Sequence, residues 1–131
     1  MLQLTILIVD DTCEHRDILR RLLQSEGYRV VEAQPGLDAL QKSRSMRPDL
    51  ILASLSLPGH PAWDTIQQLR AQPTLSQTPI LGTTVYETLL SRARIRSVGC
   101  VDCVEKPFDF DYLLSSIDHL LLTSSSLPPV A

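Results

Sequence analysis

Short runs of branched apolar residues alternate along this chain with longer segments of helical period, and few folds accept that alternation. Leu4 to Val9 and Leu50 to Ala53 are nearly all apolar, as strands buried on both faces of a parallel sheet must be. Ile80 to Thr83, after Pro79, and Val101 to Val104, after Gly99, are shorter runs of the same kind. Arg29 to Ala33 alternates apolar and polar residues, which places it nearer a sheet edge.

Between these runs lie five segments with helical spacing. Ile18, Leu19, Leu22 and Leu23 give one apolar stripe, with Arg16, Arg20, Arg21 and Gln24 facing out. Leu37, Ala39 and Leu40 mark a second helix opened by Pro35-Gly36, and Trp63, Ile66 and Leu69 a third that ends before Pro73. Glu87 to Val98, with Leu90, Ala93 and Val98, is a weaker fourth. Phe110, Leu113, Leu114, Ile117, Leu120 and Leu121 form a fifth stripe, with Asp109 placed to cap its first turn. Strands alternating with helices in this way predict βαβ units and a parallel sheet.

At 131 residues the chain is the size of one domain, able to bury roughly two-thirds of the surface its unfolded form exposes. The net charge of -3 offers no general attraction for nucleic acid or an anionic membrane. No apolar run reaches the roughly 18 residues needed to cross a bilayer, and Met1 to Val9 is too short for a signal peptide. Three cysteines do not make a disulfide framework, so a reducing cytoplasm is the expected setting. From Thr123 onward the serines and prolines indicate a flexible tail over 123–131, with one domain over 1–122 and no attached output domain.

In a doubly wound sheet, ligands bind beyond the carboxyl ends of the strands, where the strand order reverses. That rule selects Asp10, Asp11, Ser54, Thr84 and Lys106, each at or just past the end of its own strand. Ile8-Val9-Asp10-Asp11, Pro48-Asp49-Leu50-Ile51-Leu52-Ala53-Ser54 and Val104-Glu105-Lys106-Pro107-Phe108 together closely resemble the response-regulator receiver family, over about residues 4 to 122. The resemblance implies a flavodoxin-like doubly wound α/β fold, a five-stranded parallel sheet in the order 2-1-3-4-5 with five helices.

It also implies roles. In receivers the acidic pair, here Asp10 and Asp11, helps hold Mg²⁺ together with a backbone carbonyl two residues past the phosphoacceptor, here that of Ser56. Lys106 would contact the phosphoryl group and Thr84 would be the hydroxyl switch. The phosphoacceptor itself is an aspartate in the family, and this chain has Ser54 there. A serine hydroxyl is a weak nucleophile without an adjacent base, and a hard dication loses an anionic ligand. Asp49 opens the third strand at the far end and cannot take over. The family's small residue after the hydroxyl switch is Val85 here, its aromatic switch is Cys103, and its Asp-Gly pair in the loop after the third strand is Pro61-Ala62.

The resemblance therefore implies a stand-alone pseudo-receiver, not an enzyme, that meets another signalling protein, a histidine kinase or downstream effector, without an aspartyl phosphate. No cofactor is required, and Mg²⁺ binding at Asp10, Asp11 and Ser56 would be weak. Arg92 and Arg96 share a face of the fourth helix and could meet an acidic partner. The face of helix 4, strand 5 and helix 5 could also form a homodimer. Two alternatives stay open: a regulator that responds to modification of Ser54 or to a metal or anion, and a thiol redox module using Cys100 and Cys103.

Overall fold

The computed structural model describes residues 3–55, 61–84, 92–106 and 109–125, with the side chains of residues 92 and 123–125 outside the description. Five strands and five helices alternate: β1 (Thr5–Val9), α1 (Cys13–Ser25), β2 (Arg29–Ala33), α2 (Leu37–Met46), β3 (Leu50–Ser54), α3 (Pro61–Ala71), β4 (Ile80–Thr84), α4 (Arg92–Val98), β5 (Asp102–Glu105) and α5 (Phe110–Ser125). All strand pairs are parallel and the order is β2-β1-β3-β4-β5, as expected. The helix α5 continues to Ser125, past the boundary expected at residue 122.

Side chains alternate across a strand, so each apolar run serves two cores at once. Ile6, Ile8, Leu50, Leu52, Leu81 and Val104 point to one face and pack with Leu19 and Leu23 of α1 and Leu113, Ile117 and Leu121 of α5. Leu7, Val9, Ile51, Ala53 and Ile80 point to the other and pack with Ala39, Trp63, Ile66, Leu69, Ile95 and Val98. Each fully buried Leu or Ile contributes about 1.5–3 kcal/mol. Gly82 in β4 leaves room on this second face, because a Cβ there would lie 2.7 Å from Leu55 Cδ1 and 3.3 Å from Cys100 Sγ.

Three helical stripes are narrower than the sequence spacing predicts. Ile18 is 49% exposed, Leu37 66% and Phe110 45%. In α1 the ridge of Leu19, Leu22 and Leu23 meets the core and Ile18 lies off it, while Leu37 and Phe110 are the first residues of their helices. In α4 the buried side chains are Ile95 and Val98, and Ala93 faces solvent. Asp109 does cap α5, its Oδ1 accepting the Tyr112 N–H at 3.1 Å.

The edge strand β2 is heavily guarded. Lys42 of α2 donates to the Glu32 carbonyl at 2.7 Å, and Arg16 and Arg20 of α1 reach the Glu32 carboxylate at 3.4 and 3.0 Å. At the amino rim of the sheet, Asp49 and Thr5 bind reciprocally. The Asp49 carboxylate accepts the Thr5 N–H at 2.8 Å, and the Asp49 N–H donates to the Thr5 carbonyl at 2.8 Å. At the same rim half-buried Arg70 donates to the Gly99 carbonyl at 3.2 and 2.9 Å and to the Leu75 carbonyl at 3.0 Å. Gly99 takes φ +120°, and a Cβ on it would lie 3.1 Å from Arg70 Cβ, so conformation and space both call for glycine.

Candidate functional site

The register fixes which residues share the carboxyl rim. Val9 pairs with Ala53, Ser54 with Thr83 and Thr84 with Glu105, so the residues that end or follow β1, β3, β4 and β5 arrive at one level. Asp10 follows β1, its N–H held by the Ala33 carbonyl at 3.2 Å and its side chain almost fully buried. Lys106 follows β5, its N–H held by the Thr84 carbonyl at 2.7 Å.

The side chains meet around the Lys106 ammonium. Nζ lies 3.2 Å from Asp10 Oδ2, 3.2 Å from Ser54 Oγ and 3.2 Å from Nδ1 of His15. An ammonium has three protons to donate, and three acceptors surround it. Asp10 Oδ1 accepts the Thr12 N–H at 2.8 Å, and the Arg16 guanidinium donates to the Asp10 carbonyl. The Asp10 carboxylate, expensive to bury alone, is thus both paired and hydrogen-bonded. Asp11 is exposed and receives the Thr12 hydroxyl at 3.4 Å. Thr84 is buried at the end of β4.

The structure therefore gathers Asp10, Ser54 and Lys106 into one cluster, with Thr84 at the same rim and Asp11 at its exposed margin. Ser56 and Val85 lie outside the described residues, as does the side chain of Arg92. Arg96 is exposed on α4. Cys103 is buried in the second core and has its N–H bonded to Asp102 Oδ1 at 2.8 Å. Cys100 is also buried, and burial, with Cys103 nearby, pushes its thiol up to about 12. Both thiols are buried and lack the exposure of a reactive cysteine.

His15 was not among the residues selected from the sequence. It lies in the first turn of α1, five positions after Asp10, and its Nδ1 is 3.5 Å from Asp10 Oδ2. The available signal was the spacing Asp-Asp-x-x-x-His at a strand end followed by a helix.

Would these residues suit Mg²⁺? That ion takes hard oxygen ligands in near-ideal octahedral geometry. Here Asp10 already binds an ammonium, and β3 ends in a neutral hydroxyl where a third carboxylate would add charge, so the oxygen set at this rim is poorer than that ion prefers. Among the described residues no group of three His, Cys, Asp or Glu side chains is gathered to hold a metal ion. A separate groove of about 940 Å³ lies at the amino rim, lined in part by Arg70, Arg96, Cys100 and Leu120, away from this cluster. No described helix is long and apolar enough to cross a membrane.

A doubly wound sheet with an aspartate pair, a hydroxyl and a lysine at its carboxyl rim is the architecture of a signal receiver. The response regulator receiver domain family matches residues 6–118, and the chain belongs to that family, whose members act in two-component signalling. It is 28% identical over 117 residues to the polar-differentiation response regulator DivK of Brucella anthropi, covering 89% of this chain and 95% of that one. It is 33% identical over 120 residues to the transcriptional regulatory protein ZraR of Klebsiella oxytoca, spanning 91% of this chain but only 26% of that protein. The chemotaxis response regulator CheY4 of Vibrio cholerae superposes with a TM-score of 0.81 at 28% identity, over 91% of this chain and 99% of that one.

Proposed function

We propose that this receiver signals without an aspartyl phosphate, through contact with another protein. The observation that carries the proposal is the serine at the end of β3, whose hydroxyl faces Lys106 at 3.2 Å where a carboxylate would be needed to accept a phosphoryl group. Among the described residues neither candidate base is hydrogen-bonded to the Ser54 hydroxyl, because the Asp10 carboxylate is committed to Lys106 and the Thr12 N–H and His15 Nδ1 also contacts Lys106. Asp10, Asp11, Thr84 and Lys106 then act as a polar framework that holds the rim. The domain, expected over residues 1–122 and carried by α5 to Ser125, needs no cofactor and catalyses no reaction of its own.

The partner is a histidine kinase or a downstream effector, and the basic side of α4 is its docking face. Arg96 is exposed there, and Arg92 stands four positions earlier on the same helix. Replacing both with glutamate should weaken binding in a salt-dependent manner. The thiol alternative has no support, since a sulfur as buried as that of Cys100 is chemically inert near neutral pH.

Intact-mass spectrometry after incubation with acetyl phosphate and Mg²⁺ tests the central claim. The expected result is an unchanged mass. A gain of one phosphoryl group would overturn it, and its disappearance in Ser54→Ala would identify a modified serine instead.

A further inference from the structure

Charge is spread unevenly over this molecule. The chain as a whole carries -3, yet the groove of about 940 Å³ at the amino rim is lined by the guanidinium groups of Arg70 and Arg96 and, among the described residues, by no carboxylate. Arg70 stands on α3 and Arg96 on α4, so the fold rather than one helix brings the two charges to one cavity. A charge drawn out of water is costly unless something pairs with it. Arg70 is half-buried, and its hydrogen bonds to the carbonyls of Gly99, Leu75 and Ser76 use at most four of its five N–H donors. Those partners are neutral dipoles, so the positive charge keeps its pull and an N–H remains for an anion.

The rest of the lining is mixed. Gln67, Thr78 and Ser97 add uncharged polar side chains. Pro79, Val98 and Cys100 are buried, while Val101 is 39% exposed and Leu120 half-buried in the same groove. The volume of about 940 Å³ falls within the range of about 300–1,000 Å³ usual for small-molecule sites, which pair an apolar wall with a few placed polar groups.

We propose that this groove binds a small organic dianion, a phosphate monoester or a dicarboxylate, with an apolar body. Two negative charges answer the two guanidiniums, whose planar forks suit carboxylate and phosphate oxygens. The body covers Val101 and Leu120, and the carbonyl bonds of Arg70 stay in place. The site lies at the opposite rim from Ser54 and stands whether or not that residue is modified.

The test titrates the full chain at about pH 7.5, where both probes are dianions, with phenyl phosphate and with isophthalate, following amide shifts by NMR. The expected result is saturable movement of Gly99, Cys100 and Val101 with one or both probes, the tighter one naming the head group, while Asp10 and Ser54 stay still. Benzoate, with one charge, and inorganic phosphate, with no body, should each bind about tenfold more weakly or worse. Gln67→Glu, an exposed change three positions before Arg70, supplies an internal carboxylate and should weaken the tighter probe about tenfold. Arg96→Gln, also exposed, should do the same. Failure of both probes, equal binding of benzoate or inorganic phosphate, or unaltered affinity in either variant would overturn the proposal. Tighter binding of a tetraglutamate peptide would also overturn it, by making the groove a docking site for protein. Shifts centred on Asp10 and Ser54 would do so too, by moving the ligand to the other rim.

Discussion

At the amino rim of the sheet Arg70 gives its hydrogen bonds to the backbone carbonyls of Leu75 and Gly99, whereas at the carboxyl rim Lys106 gives its own to the side chains of Asp10, Ser54 and His15. Backbone carbonyls are fixed by the fold, and nothing can take their place without local unfolding. Side chains rotate, and a ligand can substitute for any of them. Burial lowers the pKa of the Arg70 guanidinium, whose hydrogen-bond partners among the described residues are all backbone carbonyls, yet an arginine stays charged under all ordinary conditions. One rim thus uses its cation to lock loops together, and the other keeps its cation in an arrangement that can be exchanged.

The largest expected effect lies on the locked side. Arg70→Met should lower the unfolding free energy by about 3 kcal/mol, because the Gly99 and Leu75 carbonyls lose a charged donor. Urea denaturation measures this, and amide shifts at Asp10 and Ser54 should not move. Equal disturbance at both rims would show that the two are not independent.

Next comes the alkaline limb, again at the amino rim. An unfolded thiol ionises near about 8.5, while folded Cys100 holds its proton to about 12. The unfolded state loses its proton first, so stability is retained below about pH 8.5 and falls as pH rises from there towards 12. Wild type should lose about 2 kcal/mol more than Cys100→Ala between pH 7 and pH 10. Parallel curves for the two proteins would mean that Cys100 is not protected as the packing requires.

Smaller effects are expected at the exchangeable rim. Ser54→Asp places a second carboxylate beside Asp10, with one ammonium to share, and should cost about 1 kcal/mol without metal. Mg²⁺ should restore that loss in the variant and leave wild-type stability unchanged in thermal melts. His15→Ala, at a half-exposed position, should change stability by less than about 0.5 kcal/mol. A much larger loss would make His15 part of the locked structure and erase the contrast between the rims.

Strands buried on both faces were easy to read, because Leu4 to Val9, polar only at Thr5, and Leu50 to Ala53 are nearly continuous apolar runs. The edge position of β2 was legible for the opposite reason, its mixed polarity. Helix faces were read less well. Spacing alone groups Ile18 with Leu19 and Leu23, and only the placement of α1 against the sheet decides that Ile18 stays outside. At the site, Asp10, Ser54, Thr84 and Lys106 followed from one rule about strand ends. His15 did not, since its meeting with Lys106 joins residues 91 positions apart and depends on how the first turn of α1 folds back over β1.

The guard on β2 bears on how copies of this chain behave when crowded. Ala33 turns its carbonyl inward to Asp10, so the alternation of the strand turns that of Glu32 outward, to the acceptor row a neighbouring molecule would need to extend the sheet. Lys42 already occupies that acceptor, and a chain with β2 left bare would carry an open template for strand-to-strand aggregation.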